Sequence, residues 1–407
     1  GSYLLTDSVF ITPLNSGSTN NPAKITGSTN FAAGGSWLQP AAGFLSPAFQ
    51  IHQARYIQIA NFRLTGFTNG VASSGTGTRF CTLADLDIQA SIGPGVALAQ
   101  AQDTRLERVL IRDGLSVGLS ANSSGLELLG CVVWSNRASA VSLSSTALFM
   151  TNSVLEASGS GNYCYLAYTN VTMRTDYNNL FIRNGAQIAF KDAMQYEKLP
   201  QWVRGSVQDL HSLSTDPLFS DPAAGDFHPR SRTGRYQPGT GWVSDVPEDG
   251  RPDYSPLIDM GDPRTAWSNE PASNGGLPNI GLYGNTWQAS KSNTNQWLLA
   301  VTAMSGGIMS GGITLTWGYG GGIPSNALAQ LQYSYDDGTA NWSLIGNVPV
   351  GAREFYWQSD LVQAGIERFF SSPAGRWQIF LVEATNLVDR TDTYFGLRNN
   401  PFKYYVN

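Results

Sequence analysis

Apolar and polar positions between residues 50 and 190 alternate in short runs that no helical period fits. The stretches "LADLDIQASIGPGVAL", "LERVLIRDGLSVGLS" and "LELLGCVVWSNRASAVSLS" each hold two apolar runs with a small, polar corner between them. Aligned on one apolar position, they place Ile59, Leu83, Leu106, Leu128, Met150 and Met173 at intervals of 24, 23, 22, 22 and 23 residues. A period of this size, with two short strands and a Gly/Ser/Asn corner in each repeat, predicts a solenoid. One repeat is too short to bury its own apolar face, so coils must stack and share a core. The pattern predicts a right-handed parallel β-helix over residues 1–190. Helical repeats are excluded by runs such as Gly159-Ser160-Gly161-Asn162, which break helices. The fixed Leu-x-x-Leu-x-Leu pattern of leucine-rich repeats is missing.

The pattern changes at "KDAMQYEKLPQW", where a short helical or irregular element is expected around Asp192–Trp202. Residues 191–291 are rich in Pro, Gly, Asp and Trp and show little periodicity. A solenoid needs a lid, because its last coil otherwise exposes apolar core and open strand edges. This segment is therefore expected to be an irregular C-terminal cap, with Trp202, Trp242, Trp267 and Trp287 sealing the core end. From Trp297 onward, "WLLAVTAM", "GITLTWGY", "LQYSYDDG", "REFYWQS" and "RWQIFLVEA" read as alternating strands, which predicts a β-sandwich over residues 292–407. The fold class expected is thus all-β. The polar linker Lys291–Gln296 suggests that β-helix and sandwich have separate cores. Within "SYDDGTANW", Ser334, Asp336, Gly338 and Trp342 follow the order of an Asp-box hairpin, in which the Asp satisfies turn amides.

Charge narrows the partners. The 407-residue chain has 30 acidic and 25 basic side chains, a formal charge of −5, and only 14% charged residues. Acids and bases nearly balance over residues 1–200, without the basic stripe of a nucleic-acid binder or of a groove for polyanionic sugars. No apolar run is long enough to span a membrane as a helix. The three cysteines, Cys81, Cys131 and Cys164, lack the paired Cys/His spacing of a zinc site and read as buried thiols.

The coils, together with "DLHSLSTDPLFSDPAAGDFHP", "SPLIDMGDP" and "EPASNGGLPNIGLYGNT", resemble the right-handed β-helix repeat proteins of bacterial secreted and surface proteins. These belong to the pectate-lyase-like superfamily, and an immunoglobulin-like or fibronectin-like module often follows the β-helix. The opening "YLLTDSVFI" and closing "NNPFKYYVN" resemble joints between units of very large surface proteins. The resemblance implies an extracellular or cell-surface module, serving as a rigid spacer or adhesive unit beside neighbouring units of the same protein. The superfamily also holds polysaccharide lyases, glycoside hydrolases and epimerases. Their motif sets are not found in the coils, and the nearest approach to a lyase calcium cluster is Asp85 with Asp87. A polysaccharide-degrading enzyme working in a groove along the coils is the alternative reading.

Stacking the repeats brings candidate chemistry together. One column reads Thr65, Gln89, Arg112, Trp134 and Glu156, with Asp113 one residue after Arg112. Arg112, Trp134 and Glu156 are candidates for glycan contact, Trp134 being expected outside. Asp113 and Glu156 are candidate acid/base residues two coils apart, about 10 Å between backbones, a separation near that of inverting glycosidases. The same column also reads as a structural ladder of stacked and paired side chains. A second column, Glu107, Leu129, Thr151 and Arg174, is expected at another corner with Asn152 beside it. No cofactor is required. Asp259, Asp262, Glu270 and Asn274 could offer oxygen ligands to Ca²⁺, or could instead satisfy backbone amides of an irregular segment.

Overall fold

A computed structural model describes residues 1–28, 35–248, 250–339, 341–360 and 371–399; most of the joint-like "NNPFKYYVN" lies outside them. Residues 1–190 form a parallel β-solenoid with three faces. The first face carries Thr104–Glu107, Gly125–Leu129, Ala147–Thr151 and Thr172–Asp176. The second carries Leu110–Arg112, Val132–Trp134, Val154–Ser158 and Asn179–Arg183. In earlier coils, Ile57–Thr65 and Thr82–Gln89 run through both faces as single strands. The third face is a sheet of nine strands that includes Val96–Ala99, Leu119–Asn122 and Val141–Ser144.

The register follows the apolar alternation, because slipping by one residue would turn every inward side chain outward. Ile59 pairs with Leu83, Leu83 with Leu106, Leu106 with Leu128, and Leu128 with Met150. The next step differs from the sequence alignment: Met150 pairs with Thr175, and Met173 pairs with Leu148. Extra residues in the corners around Gly159–Asn162 and Asn170 lengthen this coil, and they carry no apolar marker. Consequently Thr151 faces Asp176 in the second column, and Arg174 moves to the row of Phe149.

First and second faces meet at a one-residue corner. Asp85, Arg108, Gly130, Asn152 and Tyr177 hold it with φ of 51–59°, a left-handed conformation that only glycine adopts freely. Stacking offsets the strain: Arg108 donates its N–H to the Leu129 carbonyl, and Asn152 donates to that of Tyr177. Next to the corner points an inward column that changes character along the solenoid. It is apolar at Leu86, Val109 and Cys131 and becomes polar at Ser153 and Asn178. Cys131 N–H donates to Ser153 Oγ at 3.0 Å, and Ser153 N–H to Asn178 Oδ1 at 3.0 Å. Cys81, Cys131 and Cys164 are free and buried in the core.

The end of the solenoid is sealed by one helix, α1 (Leu199–Ser206), with Pro200 in its first turn and Val207 left-handed at its C-cap. Trp202 is fully buried, 5.6 Å from the Tyr165 ring, and donates its indole N–H to Asp209 Oδ2 at 2.9 Å. Trp242, Trp267 and Trp287 are instead 41%, 39% and 59% exposed, so of the four tryptophans Trp202 seals the core end, together with Leu199, Val203 and Tyr196. Much of the expected cap lies along the side of the solenoid. Outward-facing Leu110, Val132 and Val154 of the second face are buried under Leu213, Phe219, Phe227, Leu257, Ile280 and Leu282.

The last segment packs two sheets about a core that includes Trp317, Tyr333, Trp357 and Trp377. This core is joined to the rest of the chain by a further apolar cluster. Val301 and Met304 of this sandwich belong to the same apolar cluster as Val132, Phe227 and Leu282. The polar linker is also pinned, since Ser292 Oγ donates to Asp259 Oδ1 at 2.8 Å and Asn293 N–H to Tyr254 Oη at 2.8 Å. The solenoid and the sandwich thus keep separate main cores, and a third apolar cluster joins them. Among the described residues no helix is long and apolar enough to cross a membrane.

Candidate functional site

The column Gln89, Arg112 and Trp134 is in register as the repeats imply, and Glu156 continues it toward Phe181. Its surroundings differ from an open sugar site. Trp134 is half-buried, stacked 5.8 Å from Phe181 and edge-on to Phe219 and Phe227 at 5.4 and 6.0 Å. Arg183 lies 5.5 Å over its ring. Arg112 is only 8% exposed; its Nε donates to Asp87 Oδ1 at 3.1 Å and its Nη1 to Asp113 Oδ2 at 3.0 Å. Glu156 is buried, accepting from Ser135 N–H at 2.7 Å and from Arg183 Nε at 2.6 Å. Asp113 alone keeps an exposed carboxylate. The residues come together, but as a ladder that ties coils to the covering segment.

The oxygen-rich candidates are each engaged by the protein. Asp259 accepts from Ser292 Oγ and from Gly275 N–H at 3.0 Å, while burial pushes its carboxyl up. Asp262 is held by Arg264 at 2.8 Å; its carboxyl is depressed although burial opposes this. Asn274 Nδ2 reaches the Glu270 carbonyl at 3.4 Å. Glu270 Oε1 accepts the N–H groups of Asn279 and Asn285, both at 2.8 Å. Among the described residues no group of three or more His, Cys, Asp or Glu side chains is placed to hold a metal ion.

Glu270 gives a testable pH dependence. Burial pushes its carboxyl up to about 7 from 4.5, outweighing the two amide hydrogen bonds. The folded chain thus holds a proton that the unfolded chain releases between those values, so stability falls as pH rises through that window. The loss reaches up to about 3 kcal/mol above pH 7. Glu270→Gln keeps a carbonyl oxygen for both amides and removes the titration. The variant should melt at a higher temperature than the parent at pH 8, and the gap should shrink toward pH 4.5. Parallel melting curves at both pH values would contradict this.

The open surface lies on the first face. Its outward row reads Thr82, Arg105, Glu127, Phe149 and Arg174, one residue per coil and in register. With Phe80 and Asp103 it lines a groove of about 680 Å³. Arg105 is held by Glu107 at 3.3 Å and Glu127 at 3.2 Å, and Arg79 by Asp103 at 2.9 Å. Phe80 is 41% exposed, its ring stacked 4.9 Å from Tyr56. Fixed guanidinium and carboxylate groups supply donors and acceptors, and rings at Phe80 and Phe149 supply apolar faces. That combination suits a hydroxyl-rich ligand. Sequence reading missed this row because the slip at Met173 placed Arg174 at a corner. The signal was present in "LEL" and "LFM", where one outward residue separates two inward ones.

A scan against protein-family models gives no match for the chain, and a search of curated proteins gives none.

Proposed function

We propose that this chain is an extracellular structural and adhesive module of a large bacterial surface protein, contacting glycan through the first-face groove. The observation that carries the reading is the in-register row Arg105, Glu127, Phe149 and Arg174 on an open face. The expected Arg112, Trp134 and Glu156 column, by contrast, lies under the side-packed segment. Coils about 4.8 Å apart repeat on the scale of a sugar ring, so successive coils offer successive sugars similar contacts. Asp103 and Glu127 offset Arg105 and Arg174 within the groove, so the face carries no net positive charge to draw a polyanion, which favours a neutral glycan.

The test is calorimetric titration of the whole chain with neutral oligosaccharides (gluco-, manno- and xylo-hexaose), beside Phe149→Ala and Arg105→Ala. Losing the Phe149 ring should weaken binding about tenfold, a value typical of one aromatic contact. Binding that is unchanged in both variants would remove the groove from consideration. Release of new reducing ends or unsaturated products during the titration would instead favour a polysaccharide-degrading enzyme.

A further inference from the structure

Where solenoid, side-packed segment and sandwich meet, a pocket of about 450 Å³ is lined by Tyr177, His211, Met260, Trp317, Arg353 and Glu354, among others. Such junctions between packed units are favoured places for small-ligand sites, and this volume lies within their usual range. None of these residues belongs to the first-face groove.

His211 organises one wall. Its ring stacks 4.8 Å from Tyr177. Nδ1 faces Asp176 Oδ2 at 2.8 Å, and Nε2 faces Glu354 Oε2 at 3.3 Å. Both ring nitrogens meet a carboxylate, which suits the imidazolium, the form in which both donate. Burial would lower the imidazole's proton affinity, but Asp176 and Glu354 hold it above the usual value. These three side chains thus satisfy one another.

Arg353 is in a different position. It follows the short turn Val350–Ala352 with φ of 59°, a conformation costly for a residue with a side chain. Its carbonyl accepts the Trp317 N–H at 3.1 Å, which fixes the backbone. The guanidinium lies 4.5 Å over the Tyr319 ring, and burial lowers its proton affinity. Among the described residues no carboxylate reaches it at ion-pair distance. Nearby acids are occupied: Asp176 and Glu354 by His211, Asp262 by Arg264, and Asp259 by Ser292 and Gly275. Asp259 attracts it only from beyond ion-pair distance, so among the described residues no carboxylate is in direct contact with its fork, and strained residues collect at ligand clamps.

We propose that the junction pocket binds a small organic monocarboxylate, about the size of one acidic sugar, with its carboxylate on the Arg353 guanidinium. The planar fork of arginine matches a carboxylate through two parallel hydrogen bonds. A guanidinium with no carboxylate in direct contact suits a single negative charge, and Glu354 at the rim opposes a dianion. The body of the ligand lies among Tyr177, Met260 and Leu277.

The experiment titrates the full chain with glucuronate and galacturonate, following tryptophan fluorescence and heat. Glucose serves as the neutral arm and inorganic phosphate as the dianionic arm. Uronate should bind one to one and raise the melting temperature, since a ligand that binds only the folded state stabilises it. Glucose and phosphate should bind at least about tenfold more weakly. Arg353→Gln should abolish uronate binding while leaving glycan binding in the groove intact. If Arg353→Gln fails to fold, Arg353→Lys decides, with about tenfold weaker binding expected for loss of the bidentate fork. No saturation by uronate near ~10 mM, equal binding of glucose, or affinity unchanged by either substitution would overturn the site.

Discussion

Asp209→Asn is expected to cost about 3 kcal/mol of stability, because it spoils the acceptor on which the sealed end of the solenoid converges. The carboxylate accepts from Thr175 Oγ1 and Ser212 Oγ at 2.7 Å, Trp202 Nε1 at 2.9 Å and Asn178 Nδ2 at 3.1 Å. Both hydroxyls can rotate toward other acceptors. The indole and amide N–H groups cannot, and each buried donor left unmade costs about 1–3 kcal/mol. An asparagine there would place its own N–H₂ against one of those donors. Asp209 is left-handed with φ of 56°, and asparagine tolerates that backbone, so the loss reports the spoiled acceptor and not strain. A denaturant series comparing midpoints at constant slope measures it. A loss under about 1 kcal/mol would show that the network is not an anchor.

A second large effect is expected at the shared apolar cluster. Phe227 is fully buried, its ring 5.2 Å from Phe219 and 6.0 Å from Trp134. Truncating a buried phenylalanine to alanine costs about 3–5 kcal/mol through lost transfer energy and the cavity left behind. Here the effect should spread. Val301 and Met304 bring the sandwich into the same cluster, so the parent chain should unfold in one calorimetric transition. In Phe227→Ala the sandwich should begin to separate from the solenoid as a second transition. Two well-resolved transitions already present in the parent would contradict coupling through this cluster.

These two sites mark where sequence reading stops. Coils are legible because Leu83, Leu106 and Leu128 face inward at a nearly constant interval, and register follows from that alternation. Legibility fails at Met173, where longer corners lie between apolar markers that are themselves interchangeable. The contiguity of Arg112, Trp134 and Glu156 was readable from stacking alone, but their burial was not. What covers them is residues 213–282, a segment with no period to say which face it seeks. Asp209 reads as an ordinary loop acid until Thr175 and Trp202 are seen around it. Arg353 and His211 lie far apart in sequence, and only the folded junction sets them around one pocket.

The three buried thiols make the chain a reporter of its own opening. Burial pushes Cys81 up to about 11, Cys131 up to about 12 and Cys164 well above its usual value. The reactive thiolate is therefore scarce in the folded state, and reagents must wait for a coil to open. Since the three sulfurs sit in successive parts of the stack, the order in which they acquire label would give the direction in which the solenoid unwinds. If labelling starts at Cys81, unwinding runs from the end opposite α1; if it starts at Cys164, the helix and Asp209 are the weaker closure.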